Sequence, residues 1–304
     1  MTMYFVILCF VAFKLFKFVL SLFKDDPRGK WVVVTGAASG IGKCVVNQLL
    51  SKGCKVYALD LNEKLLEESF HSEHVFKVRV DISSSKEMSA FEERLKEDFK
   101  DKELYGLVNC AGLMPPGSPA KACGEIDTQK SSSIFDVNFH GTSRVIKTCI
   151  PHLIKSSGCI VSVISYSSRV PLPGYAIYAS SKAALSVFCD VLRVEMKSYN
   201  VRVSSIQPLA VDTPMISHLT SQVDVSLTSL PKCIPDQERQ REGMRRFGAL
   251  TPDRVATEVL ESLFARFPRE QVYVAHNWLF YFLFYSLELL PFTFSDWLKR
   301  QIFY

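Results

Sequence analysis

The chain has 304 residues, of which 48% are hydrophobic and 22% are charged. These proportions are typical of a globular protein, and they exclude a disordered chain, a collagen-like chain and a protein with many membrane spans. The formal net charge of +5 is small and scattered, so nucleic-acid binding is not predicted. The nine cysteines lack CxxC or Cys/His ligand spacing, which predicts reduced thiols and no metal site.

The N-terminal segment from Met3 to Phe23 is apolar except for Lys14 and Lys17. It reaches the ~20 residues of a transmembrane helix only if both lysine side chains extend to the membrane surface. A helix lying in the membrane interface is the alternative, because the lysines fall on one side of the helix. A cleaved signal peptide fits poorly, because no small-residue cleavage site follows. We therefore predict a membrane anchor over residues 1–24.

Basic residues follow this segment at Lys24, Arg28 and Lys30. By the tendency of positive charge to stay on the cytosolic side, the body of the protein is expected to face the cytosol. We predict localisation at a membrane, that of the endoplasmic reticulum, with the main domain in the cytosol.

Six short apolar runs alternate with helical patterns through the middle of the chain. Near-continuous hydrophobic runs are typical of strands in a parallel sheet that is buried on both faces. The pattern predicts a single doubly wound α/β domain of the Rossmann type over residues 30–275. The predicted strands are Trp31–Val34, Lys55–Leu59, Val75–Val80, Leu104–Val108, Cys159–Ile164 and Val201–Ile206, and the predicted helices are Cys44–Leu50, Ser85–Phe99, Ile134–Ile154, Tyr178–Met196 and Pro252–Phe267.

A glycine-rich turn, Thr35–Gly42, connects the first predicted strand to the first predicted helix. Glycines at such a turn let the backbone approach a pyrophosphate, which the N-terminus of the helix can hold. Asp60 ends the next strand, where a carboxylate can accept both ribose hydroxyls of an adenosine. Asp60 would repel a 2′-phosphate, and no Arg or Lys stands at Leu61 or Asn62, so NAD is predicted rather than NADP.

Three polar residues predict chemistry at the fifth strand and the long helix after it. Tyr178 and Lys182 are four residues apart, so their side chains share one helix face, and an adjacent cation stabilises a phenolate and lowers its pKa. Ser165 ends the preceding strand and could hydrogen-bond a substrate oxygen.

Two later segments differ from this regular pattern. Residues 209–248 are polar and irregular, which predicts a lid over the carboxyl ends of the strands or a disordered insertion. Residues 276–304 contain the bulky apolar run Trp278–Tyr285, which is too short to span a membrane. This tail either covers the domain's own core or forms a flap that dips into the bilayer.

The TGxxxGIG pattern at Thr35–Gly42, the NNAG-like element at Asn109–Gly112 and the YxxxK pair at Tyr178–Lys182 together resemble the short-chain dehydrogenase/reductase family. The resemblance extends from about Lys30 to Pro214, with a family-like tail to Ala275. The anchor, Asp60, the run at 104–109 and the aromatic tail resemble its membrane-associated retinol and 17β-hydroxysteroid dehydrogenases.

This resemblance implies that Tyr178 is the acid/base, that Lys182 binds the nicotinamide ribose and lowers the tyrosine pKa, and that Ser165 orients the carbonyl or alcohol. Asn138 matches the asparagine that supports a proton-relay water. The implied cofactor-binding residues are Gly36, Ser39, Gly40, Ile41, Gly42, Asp60, Asp81, Ile82, Asn109, Tyr178, Lys182 and Thr213. The chain departs from the family pattern at Cys110, which replaces the second Asn of NNAG, and at Leu209, which replaces a glycine.

We expect an NAD-dependent oxidoreductase that interconverts a lipophilic alcohol, such as a steroid or retinol, and its ketone or aldehyde. A short hydroxy acid such as 3-hydroxybutyrate is an alternative substrate, which Arg239, Arg241, Arg245 and Arg246 in the lid region would favour. A non-catalytic nucleotide-binding membrane scaffold is the alternative from another class of function. The resemblance also implies a possible homodimer.

Overall fold

The computed structural model describes residues 23–114, 128–170, 174–215 and 249–276, together with Phe16 and Val19. The predicted lid from residue 216 onward, the apolar tail from residue 277 onward and most of the predicted anchor lie outside these residues. Phe16 and Val19 have helical backbone and exposed side chains. Within the described parts of the chain, no helix is both long enough and apolar enough to cross a membrane.

The described strands form one parallel sheet in the order β3-β2-β1-β4-β5-β6-β7. Its members are β1 (Trp31–Thr35), β2 (Lys55–Asp60), β3 (Val75–Arg79), β4 (Leu104–Asn109), β5 (Cys159–Val163), β6 (Arg202–Pro208) and β7 (Gln271–Val274). The order reverses beside β1, which is the topological switch point of a doubly wound fold. The predicted fold class and its parallel sheet are confirmed.

Helices cover both faces of the sheet. They are α1 (Gly40–Ser51), α2 (Glu63–Ser69), α3 (Ser85–Asp98), α4 (Thr128–Phe135), α5 (Thr142–Ser156), α6 (Ala176–Met196) and α7 (Pro252–Phe264), with a π-helical turn at Asp136–Gly141 between α4 and α5. Helices α1, α2 and α7 pack on one apolar core, and α3, α5 and α6 pack on the other. The central strands β1, β4 and β5 are buried along their whole length, as a parallel sheet between two helix layers requires.

Side chains cap three of these helices. Asn62 accepts a hydrogen bond from Leu65 N at the start of α2, Ser84 accepts from Glu87 N at the start of α3, and Thr251 accepts from Arg254 N at the start of α7. Such caps satisfy backbone N–H groups that have no partner inside the helix. The first-turn N–H groups of α1 have no such cap, because the Ser39 side chain makes no capping hydrogen bond.

Strand β7 and helix α2 were not predicted, and α4 begins at Thr128, six residues before the helix predicted over Ile134–Ile154. Strand β7 has only four residues and lies at the edge of the sheet, and α2 is short and mostly polar, so neither carries a long periodic signal. The helix predicted over Ile134–Ile154 is interrupted by the π-helical turn. Helix α7 ends at Phe264 rather than at the predicted Phe267, because Ala265 has extended backbone.

Candidate active site

The glycine-rich turn lies against the end of the neighbouring strand β4. A Cβ atom on Gly36 would lie 2.8 Å from both Cα and N of Ala111, and the backbone of Gly36 has φ of +63°. A Cβ atom on Gly42 would lie 2.0 Å from the carbonyl oxygen of Gly36. A side chain at either position would therefore collide with backbone, so this tight turn requires both glycines. The uncapped N-terminus of α1 follows this turn, which makes it a suitable place for a pyrophosphate.

Asp60 ends β2 directly beside this turn. Its Oδ2 accepts a hydrogen bond of 2.9 Å from Ala38 N, and its Oδ1 accepts one of 2.9 Å from Asn62 N. These bonds hold the carboxylate at the point where the adenosine ribose of a dinucleotide would lie in this fold. Each oxygen keeps a second lone pair that can accept from a ribose hydroxyl.

Arg79 on β3 stands opposite Asp60 in the strand register, and this is a neighbour that sequence reasoning missed. Its Nη1 donates to Glu87 Oε2 over 2.6 Å, so Glu87 compensates the positive charge. The sequence shows no sign of this base near Asp60, because the two residues meet only when β2 pairs with β3.

Asp81 and Ile82, which follow β3, are brought to the same edge of the sheet. Asp81 Oδ1 accepts from the backbone N and the side-chain hydroxyl of Ser83, over 2.8 and 2.6 Å. Ile82 is buried, and its Cγ1 would be 2.8 Å from a Cβ atom on Gly141. The absence of a side chain at Gly141 therefore lets the π-helical turn approach Ile82.

The end of β4 is tied to both of its neighbouring strands. Thr35 Oγ1 on β1 accepts hydrogen bonds from the backbone N of Cys110 and of Ala111, over 3.2 and 3.1 Å. Asn109 Nδ2 donates to Ser162 Oγ on β5 over 3.1 Å, and the buried Asn109 Oδ1 has no partner in the described chain. Because buried polar atoms are rarely left unpaired, Asn109 retains an acceptor for a further group.

Asn138 is completely buried in the π-helical turn and fixes the loop after β4. Its Oδ1 accepts from Leu113 N over 2.7 Å, and its Nδ2 donates to Leu113 O and to Ser181 Oγ, each over 3.0 Å. The amide thus pairs with both backbone groups of one residue and with helix α6. Single-turn π-helices are frequent at functional sites, and here the turn places Asn138 between this loop and α6.

Ser165 and Tyr178 are brought together, as the sequence predicts. The Ser165 side chain hydrogen-bonds Tyr178 and lowers the pKa of the phenol, but burial has the larger effect and raises it. The net direction is above the ordinary tyrosine value, which is opposite to the lowering expected from the spacing of Tyr178 and Lys182. Ser165 Oγ also lies 2.8 Å from Ser167 Oγ.

Lys182 is buried in α6, and its Nζ lies 6.0 Å from the centre of the Tyr178 ring. The ammonium donates to the carbonyl oxygen of Val163, at the end of β5, over 3.1 Å. Burial lowers the pKa of Lys182 to about 8. The Val163 carbonyl was not among the predicted site residues, and no sequence signal marks it, because any residue type supplies the same backbone acceptor.

Thr213 and the two departures from the family pattern lie around the same edge. A Cβ atom on Gly40 would be 3.3 Å from Thr213 Cγ2, so Thr213 lies directly over the glycine-rich turn. Cys110 is partly buried at the end of β4, and burial raises its thiol pKa to about 12. The Leu209 backbone N donates to Val274 O over 3.0 Å, which attaches the start of the predicted lid region to β7.

The predicted site residues therefore converge at the carboxyl ends of the parallel strands, where ligands bind in doubly wound folds. The turn, Asp60 and the uncapped α1 suit a dinucleotide, and Ser165, Tyr178 and Lys182 suit proton transfer beside it. Among the described residues, no group of His, Cys, Asp and Glu could hold a metal ion. This arrangement defines a dinucleotide-dependent oxidoreductase-type site.

Residues 30–224 match the short chain dehydrogenase family, and the chain belongs to that family. The prediction of an oxidoreductase acting on CH–OH groups is confirmed at the level of the family.

Two relatives have names that indicate lipophilic alcohols. The chain is 37% identical to rat (Rattus norvegicus) 17-beta-hydroxysteroid dehydrogenase type 6 over 188 residues, which are 61% of this chain and 58% of that enzyme. It is 34% identical to human (Homo sapiens) retinol dehydrogenase 16 over 183 residues, which are 60% of this chain and 56% of that enzyme. The chain thus spans less than two thirds of the length of either relative. The predicted resemblance to retinol and 17β-hydroxysteroid dehydrogenases is confirmed.

Two solved structures share the fold. A 3-ketoacyl-(acyl-carrier-protein) reductase from Brucella melitensis, complexed with NADH, is 22% identical with a TM-score of 0.69, over 82% of this chain and 97% of that one. A short chain dehydrogenase from Burkholderia cenocepacia J2315, in complex with NADP, is 25% identical with a TM-score of 0.64, over 83% of this chain and 90% of that one. These likenesses confirm the single Rossmann-type domain.

Proposed function

We propose that the protein is a membrane-attached, NAD-dependent dehydrogenase that interconverts a lipophilic alcohol of the steroid or retinol class and its ketone or aldehyde. One observation carries this proposal. Ser165 and Tyr178 are hydrogen-bonded to each other, and the buried ammonium of Lys182 lies 6.0 Å from the centre of the Tyr178 ring. A phenol, a hydroxyl and an ammonium at the carboxyl ends of the strands can bind and deprotonate an alcohol.

A nicotinamide cofactor is supported by the family and by the NADH and NADP named for the two structural neighbours. The glycine-rich turn and α1 would hold its pyrophosphate, and Asp60 would accept the hydroxyls of its adenosine ribose. The carboxylate would repel a 2′-phosphate, and the charge of nearby Arg79 is already compensated by Glu87, which favours NAD. Asp81, Ile82, Asn109 and Thr213 would line the same cofactor site.

When bound, oxidised nicotinamide accepts a hydride from the carbinol carbon. In our proposal Ser165 donates a hydrogen bond to the alcohol oxygen and orients it, while Tyr178 takes the hydroxyl proton. Lys182, anchored on Val163 O, would bind the nicotinamide ribose, and its positive charge would stabilise the Tyr178 phenolate that accepts this proton. Burial raises the Tyr178 pKa, so the phenol must first lose its proton to solvent before it can take the alcohol proton. The positive charge of Lys182 would favour that ionisation.

Asn138 would act through backbone rather than on the substrate. The oxygen and the nitrogen of its amide both hydrogen-bond to Leu113, and the nitrogen also bonds to Ser181. The side chain therefore fixes the position of the loop after β4. We propose that the proton-relay water expected from the family resemblance is supported by the backbone of this turn. The exchange of Tyr178's proton with solvent would pass along that route.

The substrate class rests on the relatives, which are named for 17-beta-hydroxysteroids and retinol, and on the aromatic ends of the chain. We propose that the anchor at residues 1–24 attaches the protein to the endoplasmic reticulum with the domain at residues 30–275 in the cytosol. The lid at about 209–248 and the apolar tail at 276–304 would then enclose a substrate that dissolves in lipid. A homodimer is compatible with this arrangement.

The test is turnover of NAD and NADP with steroid, retinoid and 3-hydroxybutyrate panels, followed at the nicotinamide absorbance. Tyr178→Phe is expected to lower kcat at least 10²-fold, whereas Tyr199→Phe, in the exposed turn after α6, serves as the matched loss of a phenol and keeps full activity. Equal rates for wild type and Tyr178→Phe would refute the role of Tyr178. Turnover of 3-hydroxybutyrate alone would favour the hydroxy-acid alternative, and tight NAD binding without any turnover would favour the scaffold.

A further inference from the structure

The backbone that follows the apolar N-terminal segment is attached to the edge of the sheet where the strands begin. Lys24 forms an antiparallel bridge with Ala265. Asp25 N donates to Phe264 O over 2.8 Å, and Arg266 N donates to Phe23 O over 2.8 Å. The chain therefore joins the domain at the end of α7, just before β7, and not at the edge that carries the candidate active site.

A cluster of charged side chains around Asp25 strengthens this attachment. Tyr105 of β4 donates its hydroxyl to Asp25 Oδ2 over 2.8 Å, Arg266 Nε donates to Oδ1 over 3.0 Å, and Arg202 of β6 lies 3.3 Å from Oδ2. Lys30 Nζ lies 3.6 Å from the centre of the Tyr105 ring. Burial raises the pKa of Asp25, but these hydrogen bonds and charges outweigh it and hold the pKa below its ordinary value. These contacts, which we name the Asp25 clamp, therefore hold the backbone after the apolar segment in a fixed position on the domain.

Two phenylalanines stand exposed beside this clamp. Phe23 is 54% exposed and Phe267 is 53% exposed, and the Arg266–Phe23 backbone bond makes them neighbours. Phe16 and Val19, on helical backbone earlier in the chain, are 59% and 44% exposed. Exposed aromatic rings flanked by Lys24 and Arg266 are the composition of surfaces that lie at the membrane interface.

We propose that Phe23, Lys24, Arg266 and Phe267, which we name the amino-edge patch, contact the surface of a phospholipid bilayer. The patch directly follows the apolar segment of residues 3–22 in the sequence, and the contacts of Asp25 hold the chain just after that segment on the domain. This inference rests on the membrane attachment proposed above and adds the orientation of the domain on the lipid.

The orientation has a consequence for substrate entry. All the described strands run parallel away from the patch, and a five-residue strand is about 17 Å long. With the strands along the membrane normal, the carboxyl edge with Tyr178 would therefore lie about 17 Å above the lipid surface. Strand β7 ends at the carboxyl edge, so the apolar tail that follows residue 276 starts beside the site and not beside the lipid patch.

The experiment measures which face of the full-length protein meets lipid. Phe267→Trp and Leu61→Trp place an indole at exposed positions, 53% and 58%, at opposite edges of the sheet, because Phe267 lies just before β7 and Leu61 directly follows β2. Each variant is bound to vesicles of phosphatidylcholine and phosphatidylserine with and without brominated acyl chains. We expect bromine to quench the fluorescence added by Phe267→Trp, measured against wild type, at least threefold more strongly than the fluorescence added by Leu61→Trp.

Equal quenching at the two positions, or stronger quenching at Leu61→Trp, would overturn the orientation. Co-sedimentation of wild type and both variants with vesicles, and the alcohol turnover of wild type, are measured in parallel. A wild type that does not co-sediment would refute attachment itself, whereas a wild type that co-sediments without any turnover would refute the enzymatic proposal and leave the patch intact. Phe267→Ser, at an exposed position that does not support the core, is expected to weaken vesicle binding by about tenfold, and unchanged binding would contradict a lipid contact.

Asp25→Ala tests the clamp separately. If the clamp orients the patch, the variant that combines Asp25→Ala with Phe267→Trp still co-sediments with vesicles but loses the excess quenching. Full retention of that quenching would show that the cluster around Asp25 has no orienting role. The alcohol turnover of the same sample verifies that this double variant is folded.

Discussion

Replacing Asn138 by Asp removes the amide nitrogen and leaves the shape of a completely buried side chain unchanged. In the wild type this nitrogen donates to Leu113 O and to Ser181 Oγ, each over 3.0 Å. An ionised carboxylate in its place would put an oxygen against the Leu113 carbonyl, so two hydrogen bonds disappear and a buried acceptor loses its donor. Two bonds at about 1 kcal/mol each, with about 1–3 kcal/mol for the unpaired group, predict a loss of about 3–5 kcal/mol in the free energy of unfolding.

The pH dependence of this loss separates the hydrogen bonds from a general packing defect. Burial and the facing carbonyl oxygen of Leu113 raise the pKa of the new carboxyl above its unfolded value of about 3.9. The protonated acid can donate one of the lost hydrogen bonds, so Asn138→Asp is least destabilised at acidic pH and loses stability as pH rises from the unfolded pKa to the folded pKa. We expect the difference from wild type to be larger at pH 8 than at pH 5.

Urea unfolding of wild type, Asn138→Asp and Ser181→Ala at the two pH values measures the effect. Ser181→Ala removes one of the three partners of the Asn138 amide without adding a charge, so we expect a loss of about 1 kcal/mol that does not vary with pH. Wild-type stability of Asn138→Asp at both pH values would refute the inference that this amide fixes the Leu113 loop.

Three further predictions follow from the site and its neighbours. Gly36→Ala is expected to abolish folding or cofactor binding, because its Cβ atom would lie 2.8 Å from the backbone of Ala111. Gly29 has φ of +74° and open space around it, so the control Gly29→Ala is expected to lower the free energy of unfolding in urea by only about 1 kcal/mol. Burial lowers the Lys182 pKa to about 8, so the folded state is destabilised while this lysine is charged. Between pH 8 and 10.5 the free energy of unfolding of wild type is therefore expected to rise by up to about 3 kcal/mol relative to that of Lys182→Met. Parallel stability curves for the two proteins would contradict this effect of burial. Glu87→Gln releases Arg79, and the preference for NAD over NADP is expected to fall by up to about fivefold in kcat/KM, whereas an unchanged ratio would mean that Arg79 does not reach the ribose.

Much of the fold could be predicted because its signals are local. Each central strand is a short apolar run, and burial on both faces of a parallel sheet requires such a run. The glycine-rich turn and the Tyr178–Lys182 pair are also local patterns, since a turn is made by neighbours in sequence and residues four apart share a helix face. Strand β7 was missed because four residues at a sheet edge carry too little pattern to be distinguished from a loop.

The contacts between elements had to come from the tertiary structure. Asn138 meets Leu113, and Arg79 meets Asp60, only because the π-helical turn and the pairing of β2 with β3 bring distant segments together. The pKa of Tyr178 provides the sharpest contrast. Its spacing from Lys182 predicts a lowered value, but the packing that buries the phenol raises it, because the loss of water around a buried group opposes its ionisation.

The two apolar ends of the chain also show what can be learned from local sequence and what depends on contacts between elements. Their composition marks them in the sequence as the parts of the chain that avoid water, and no folded structure is needed to see it. Where they join the domain is a property of the sheet: the N-terminal segment meets it where the strands begin, and the C-terminal tail follows β7 where the strands end. The sequence by itself therefore determined the family, the turn and the spacing of the proposed reacting residues, because these depend on neighbours along the chain. Only the tertiary structure decided which edge each apolar end leaves from, because that depends on the direction in which the strands pair.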